Sequence, residues 1–183
     1  MNETELSERC KRKDNIARKE FYELFSGQMM AICCRYVGDR ELARDLLHDG
    51  FLKAYNSFDK FTYRGEGSLR AWLSRIMVNT ALEYLRKNDI LHQTLTLEEV
   101  PEAIGEHVEE ELERIPQKVL MEFITALPNG YRTVFNLYTF EAKSHKEIAG
   151  ILNINEKSSA SQLFRARALL AKKVTEYISR YKR

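Results

Sequence analysis

Proline and glycine are scarce in this chain, three and eight among 183 residues. That leaves little to interrupt helices and argues against a turn-rich all-β fold. Long apolar runs are missing too, and none approaches the roughly 20 residues of a membrane span. The start, MNETELSERC, is too polar for a signal peptide, so a cytoplasmic chain with no direct membrane insertion is expected. Cysteine is limited to Cys10, Cys33 and Cys34. An odd number fits a reducing compartment, and adjacent Cys33 and Cys34 lack zinc-site spacing, so free thiols partly buried in a helix are expected. No metal set, nucleophile–base constellation or phosphate loop is present. The expectation is no enzyme, no catalytic residue, no metal and no cofactor. His48, His92, His107 and His145 are scattered and read as surface histidines.

Abundant charge and apolar residues at helical spacing indicate an all-α fold. The net charge of +2 conceals a segregation. Residues 1–88 carry net +3, residues 89–118 net −7 and residues 119–183 net +6. Two basic modules joined by an acidic connector suit a polyanionic partner.

The segment SHKEIAGILNINEKSSASQLFRARALLAK, Ser144 to Lys172, reads as two helices across a tight turn. Ile148, Ala149, Ile151 and Leu152 form the inner side of the first. Asn153 tolerates the left-handed turn conformation, Ile154 plugs the turn and Asn155 caps the second helix, with Glu156 at its positive end. Ser159, Leu163, Ala166 and Leu170 then share one side. Ser158, Ser161, Gln162 and Arg165 share another. Short hydroxyls, an amide and an arginine on one face suit the edges of bases in a major groove. A plain helical hairpin with a solvated polar face has the same local pattern.

Upstream, residues 1–19 are polar and read as a frayed helix or tail. From Glu20, the residues Phe21, Leu24, Phe25, Gln28, Ile32 and Tyr36 lie along one predicted face. Gly38 ends that helix and Asp39 caps the next, whose Ala43, Leu46, Leu47, Gly50, Phe51 and Ala54 face inward. An aromatic loop, Phe58 to Ser68, leads to a third helix capped by Ser68. Leu69, Trp72, Leu73, Ile76, Met77 and Tyr84 face inward along it. Residues 89–118, acidic and interrupted by Pro101, Gly105 and Pro116, read as a linker with little stable structure. Helices are predicted over about 117–126, and from Pro128 through Phe140.

With both modules in view, the chain resembles a bacterial RNA polymerase sigma factor of the extracytoplasmic-function (ECF) class. DLLHDGFLKAYNSFDKF and GSLRAWLSRIMVNTALEYLRK resemble sigma region two. ALPNGYRTVFNLYTFEAKSHKEIAGILNI and SQLFRARALL resemble sigma region four. SSASQLFRARALLAKK looks most like the Bacteroidetes branch. The resemblance implies two small helical domains, a region 2 bundle over 20–88 and a region 4 helix-turn-helix over 119–183. An acidic linker over 89–118 would join them. It also implies a protein that binds core RNA polymerase, recognises promoter DNA, opens it and initiates transcription at a dedicated regulon. Implied partners are the β′ clamp coiled coil, the β flap, promoter DNA and an anti-sigma factor.

By the same resemblance, Asp45, Asp49, Phe51 and Lys53 lie near the polymerase-docking surface. Phe51 as a core residue, and the charges as merely solvated, remain open. The loop corresponds to the reader of the melted minus-ten element, for which Phe61, Tyr63 and Arg64 supply aromatic and basic groups. Asn79 has an amide suited to a base edge. Arg75, with Arg70, Arg86 and Lys87, would hold the backbone, whereas Phe58 and Trp72 are expected in the core. The minus-thirty-five contacts map onto Ser161, Phe164, Arg165 and the position of Ala160, beside Ser158 and Gln162. Arg167 suits a phosphate or an ion pair equally. Relatives often carry a basic residue where Ala160 stands, Arg where Gln162 stands and a buried Val where Ser159 stands, so their promoter sequences do not transfer.

Two other readings stand beside this one. The chain could be an ordinary helix-turn-helix regulator with a dimerising N-terminal module, or a helical interaction protein with no DNA role. The aromatic loop argues against the first and the basic second module against the second.

Overall fold

The computed structural model describes residues 2–88 and 115–181. Eight α-helices and no strand occur among the described residues. The chain divides into two units, Met1–Leu85 and Arg86–Arg183. Most of the acidic linker, residues 89–114, lies outside the described residues.

The first unit begins with α1, Glu3–Lys11, and α2, Asn15–Val37. Of the frayed helix or tail expected over residues 1–19, the structure shows helix, in α1 and the start of α2. Asn2 caps α1 through the Thr4 N–H, acids open the helix and bases close it. Leu6 and Cys10 are buried on its inner face. These few apolar residues suffice because α1 lies against α2, and a nine-residue helix needs such packing to persist. Asp14 caps α2 by accepting the Ile16 and Ala17 N–H groups, and it also accepts from Nε of Arg9 at 2.8 Å.

Along α2 the buried stripe follows Phe21, Phe25, Met29, Cys33 and Tyr36. Leu24, placed on the inner face by the sequence reading, is 60% exposed, and Gln28 is exposed as well. The stripe advances by four from Phe21 to Cys33 and by three to Tyr36, which turns Leu24 and Gln28 outward. Gly38 ends the helix at φ 73°, and its N–H returns to the Cys34 carbonyl. Asp39 caps α3, Arg40–Tyr55, through the Leu42 N–H.

Phe21 is the centre of this unit. Its ring meets those of Phe25, Phe51, Tyr55 and Phe58 edge-on, with centroids 5.1–6.1 Å apart. Edge-to-face contacts add about 0.5–1.5 kcal/mol each to simple burial. A 3-10 turn, Phe58–Lys60, and an extended loop lead to α4, Ser68–Lys87. Where α3 crosses α4, Gly50 meets Met77. A β-carbon on Gly50 would lie 2.2 Å from Sδ of Met77.

The second unit holds α5 Gln117–Thr125, α6 Asn129–Thr139, α7 His145–Leu152 and α8 Glu156–Tyr181. The start expected at Pro128 is observed, with Pro128 at the N-cap position, and Pro116 holds the same position before α5. Ile124 and Leu127 pack with Ala166 and Leu170, joining the α5 end to α8. Arg132 is 4% exposed, and its guanidinium donates to the Thr125 and Leu127 carbonyls at the end of α5. Asn129 Oδ1 accepts from the same group. Burial pulls the Arg132 pKa down to about 10, so these carbonyl acceptors offset a real desolvation cost.

Candidate nucleic-acid and polymerase interfaces

In the second unit the α7–α8 pair is fixed by its caps. The Ser144 hydroxyl accepts the Glu147 N–H while Glu147 accepts the Ser144 N–H, a reciprocal capping box. The Ser144 N–H, then its hydroxyl, hold the Glu147 carboxyl below the usual range. Asn153 closes α7 in the left-handed conformation, φ 54° and ψ 47°. Asn155 Oδ1 then accepts the Ser158 N–H at 2.7 Å, starting α8. Those two asparagines set the angle at which α8 leaves the turn.

Ser159, Leu163, Ala166 and Leu170 are buried along one side of α8. Ser158, Ser161, Gln162 and Arg165 line one open surface together with Asn155 and Lys157. Phe164 stands beside them, 51% exposed. All five sequence-named residues of this helix thus lie on its outward side. Nη1 of Arg165 donates to the Tyr131 hydroxyl at 3.2 Å, so α6 orients the arginine from behind. Arg167, read as suiting a phosphate or an ion pair, has an aromatic neighbour. Its guanidinium lies over the Tyr138 ring at 5.4 Å.

His145 is not a simple surface histidine. It stacks on Tyr138 with centroids 5.0 Å apart, and its Nδ1 is 2.9 Å from the hydroxyl of buried Ser159. A polar residue at this inner position is accommodated because His145 supplies its partner. His48 is exposed, and His92 and His107 lie outside the described residues.

The first unit carries a cleft of about 290 Å³ beside the aromatic loop. Phe61, Arg64 and Arg75 line it with Lys60, Trp72 and Ser68. Phe58 is buried as expected, but Trp72 is only half-buried. The Trp72 ring lies between Phe58 and Phe61, at 5.1 and 5.2 Å, and forms the cleft wall. Its placement in the core is corrected accordingly. Tyr63 is 39% exposed on the loop, outside the cleft lining. Asn79 is exposed on α4, one turn beyond Arg75. The cleft offers an aromatic wall, hydroxyls and three cations, which is the chemistry of a single-strand groove.

On α3, Asp45 and Asp49 are exposed one turn apart. Phe51 is 2% exposed, in contact with the Phe21, Tyr22 and Tyr55 rings. It belongs to the core and is removed from the docking surface. Lys53 is paired with Glu83 of α4 at 2.6 Å. The exposed apolar residue of this face is Leu52, 58% exposed, three residues after Asp49 and seven after Asp45. That spacing was legible in DLLHDGFLKAY, where the resemblance pointed to Phe51 instead.

Comparison with known proteins places these surfaces in a family. The model of Sigma-70 region 2 matches residues 21–90, and that of Sigma-70, region 4 matches residues 117–170. The ECF RNA polymerase sigma-E factor of Haemophilus influenzae is 30% identical over 183 residues, covering 92% of this chain and 93% of the relative. The chain is an extracytoplasmic-function sigma factor. As an ECF sigma factor it initiates transcription at specific promoters, with core RNA polymerase and promoter DNA as its partners. It is also similar to the RNA polymerase sigma-H factor of Pseudomonas aeruginosa, 29% identical over 178 residues, covering 92% of this chain and 91% of that protein. The solved structure of the sigma factor RpoE with the anti-sigma factor NepR from Bartonella quintana covers 86% of this sigma factor and 96% of that chain, at TM-score 0.49 and 20% identity. No described helix of this sigma factor is long and apolar enough to cross a membrane.

Proposed function

We propose that the two units divide promoter recognition between duplex and single strand. The observation that carries this division is the contrast between the two surfaces. One is an open helix face of Ser158, Ser161, Gln162 and Arg165, with Phe164 beside it. The other is a concave aromatic and basic cleft of Phe61, Trp72, Arg64 and Arg75. The first fits the major groove of the minus-thirty-five element, where hydroxyl, amide and guanidinium groups meet base edges. The second fits a strand already separated, with Phe61 and Tyr63 stacking on bases, Asn79 on a base edge and Arg64 and Arg75 on phosphates.

Asp45 and Asp49, joined by Leu52, form the docking face toward the β′ clamp coiled coil, with Lys53 at its edge. The second unit meets the β flap. The protein works in the cytoplasm under an anti-sigma factor. The SSASQLFRARALLAKK segment supports membership in the Bacteroidetes branch. The acidic residues of 89–118 serve as the connector between the units.

Footprinting and permanganate reactivity on one promoter, with holoenzyme, test the division. Arg165→Ala weakens upstream protection, whereas Phe61→Ala keeps it and loses reactive thymines. Identical patterns for the two variants overturn the proposal.

A further inference from the structure

We infer that α1 is a positioning element for the strand-reading loop, with Glu3 as the residue that holds it. The inference rests on the proposed role of the loop and extends it to a helix outside the matched region 21–90. Three observations converge. First, Oε2 of Glu3 accepts the Gly67 N–H at 3.1 Å and the Leu69 N–H at 3.4 Å. It therefore binds the start of α4, where free N–H groups and the helix dipole favour a carboxylate.

Second, Gly65 and Gly67 have φ of 117° and 82°, a conformation that side chains other than glycine rarely adopt. The loop leaves its reading residues through this glycine exit, and Glu3 fastens its far end. Third, α1 packs against the 3-10 turn Phe58–Lys60, where the loop begins. Leu6 and Cys10 anchor α1 to the unit. Both ends of the loop are thus attached to one helix, and Phe61, Tyr63 and Arg64 lie between them. Ser68 was expected to cap α4. Its hydroxyl instead accepts the Arg64 N–H at 3.3 Å, which leaves the capping position to Glu3.

The Glu3 carboxylate is engaged by backbone N–H groups of its own chain, so its effect is on loop placement. The test is binding of holoenzyme to fluorescent non-template oligonucleotides, carrying either the minus-ten sequence of a transcribed promoter or a scrambled version. Glu3→Ala lowers the ratio of the two affinities about fivefold, the typical net worth of one hydrogen bond. Core-polymerase affinity and minus-thirty-five duplex binding stay unchanged. Glu3→Gln, whose amide oxygen still accepts an N–H, retains most of the ratio. Hydrogen exchange on the full chain gives a second readout. Gly67 and Leu69 amides exchange faster in Glu3→Ala while the amides of α2 keep their protection.

An unchanged ratio in Glu3→Ala, when Phe61→Ala collapses it, overturns the role of α1 and spares the loop reading. An unchanged ratio in both overturns both. Unchanged exchange at Gly67 and Leu69 overturns the anchor itself.

Discussion

Arg165 and Tyr131 are joined across two helices by the 3.2 Å hydrogen bond from guanidinium to phenol. The arginine on the side of α8 proposed to face DNA is thereby oriented before DNA arrives. A long side chain held in place loses less freedom on binding. Arg165→Ala should cost about 1–3 kcal/mol of discrimination at the minus-thirty-five duplex if it pairs with a guanine. Tyr131→Phe should cost about 0.5–1.5 kcal/mol, the net worth of one hydrogen bond. In the Arg165→Ala background the Tyr131→Phe effect should vanish. Anisotropy titrations arranged as a double-mutant cycle check this, and strictly additive losses would contradict it.

Phe61 and Asn79 are expected to act at opening. One aromatic–base stack is worth about 1–3 kcal/mol. Alanine variants of each should keep core binding and lose permanganate-detectable melting, and templates carrying a preformed bubble should recover much of the lost transcription. A failure of such templates to help either variant would place its defect elsewhere.

The sequence made some of these surfaces easier to read than others. The α7–α8 geometry was legible because caps and periodicity act locally: Asn153, Asn155 and the buried Ser159–Leu163–Ala166–Leu170 stripe follow from spacing alone. Phe51 misled because a large aromatic in a family motif fits both a core and a contact, and only tertiary packing with Phe21 decides. α1 was hidden by its polar composition, since its stability comes from α2 rather than from its own pattern. Trp72, Tyr131 and Glu3 act through contacts made by folding. Nothing in the local sequence marks Tyr131 as the partner of a residue 34 positions away.

Gly50 and Met77 make the α3–α4 crossing sensitive to a single methyl group. Alanine would normally favour a helix interior by about 1 kcal/mol over glycine. Here its β-carbon collides with Sδ and Cε of Met77, at 2.2 and 2.8 Å. Repacking Met77 in a filled core costs about 1–3 kcal/mol. Gly50→Ala should therefore be net destabilising in urea unfolding, and Met77→Ala should relieve the collision in the double variant. A gain in stability for Gly50→Ala alone would show that Met77 moves aside freely.

The thiols predict behaviour at high pH. Burial pushes Cys10 up to about 11 and Cys33 up to about 12, from an ordinary 9.0, and raises Cys34 as well. The folded state holds these groups neutral where the unfolded chain would ionise them. Their contribution to stability is full below about pH 9 and is lost as pH rises toward the folded values. Alkylation of the native protein at neutral pH should be slow at Cys10 and Cys33, with half-buried Cys34 reacting first. Cys33→Ala should flatten the alkaline fall in stability. Mass spectrometry of the alkylated protein and pH-dependent denaturation measure the two effects. Fast native labelling of Cys33 would contradict the burial argument.

Promoter-directed initiation is the central claim, and run-off transcription with the cognate core polymerase tests it most directly. Pure protein, core enzyme and a broad set of genomic fragments should give discrete products from a small group of promoters sharing two spaced elements. Core enzyme alone should give none of them. Absence of any dependent product, together with absence of core binding, would contradict the account.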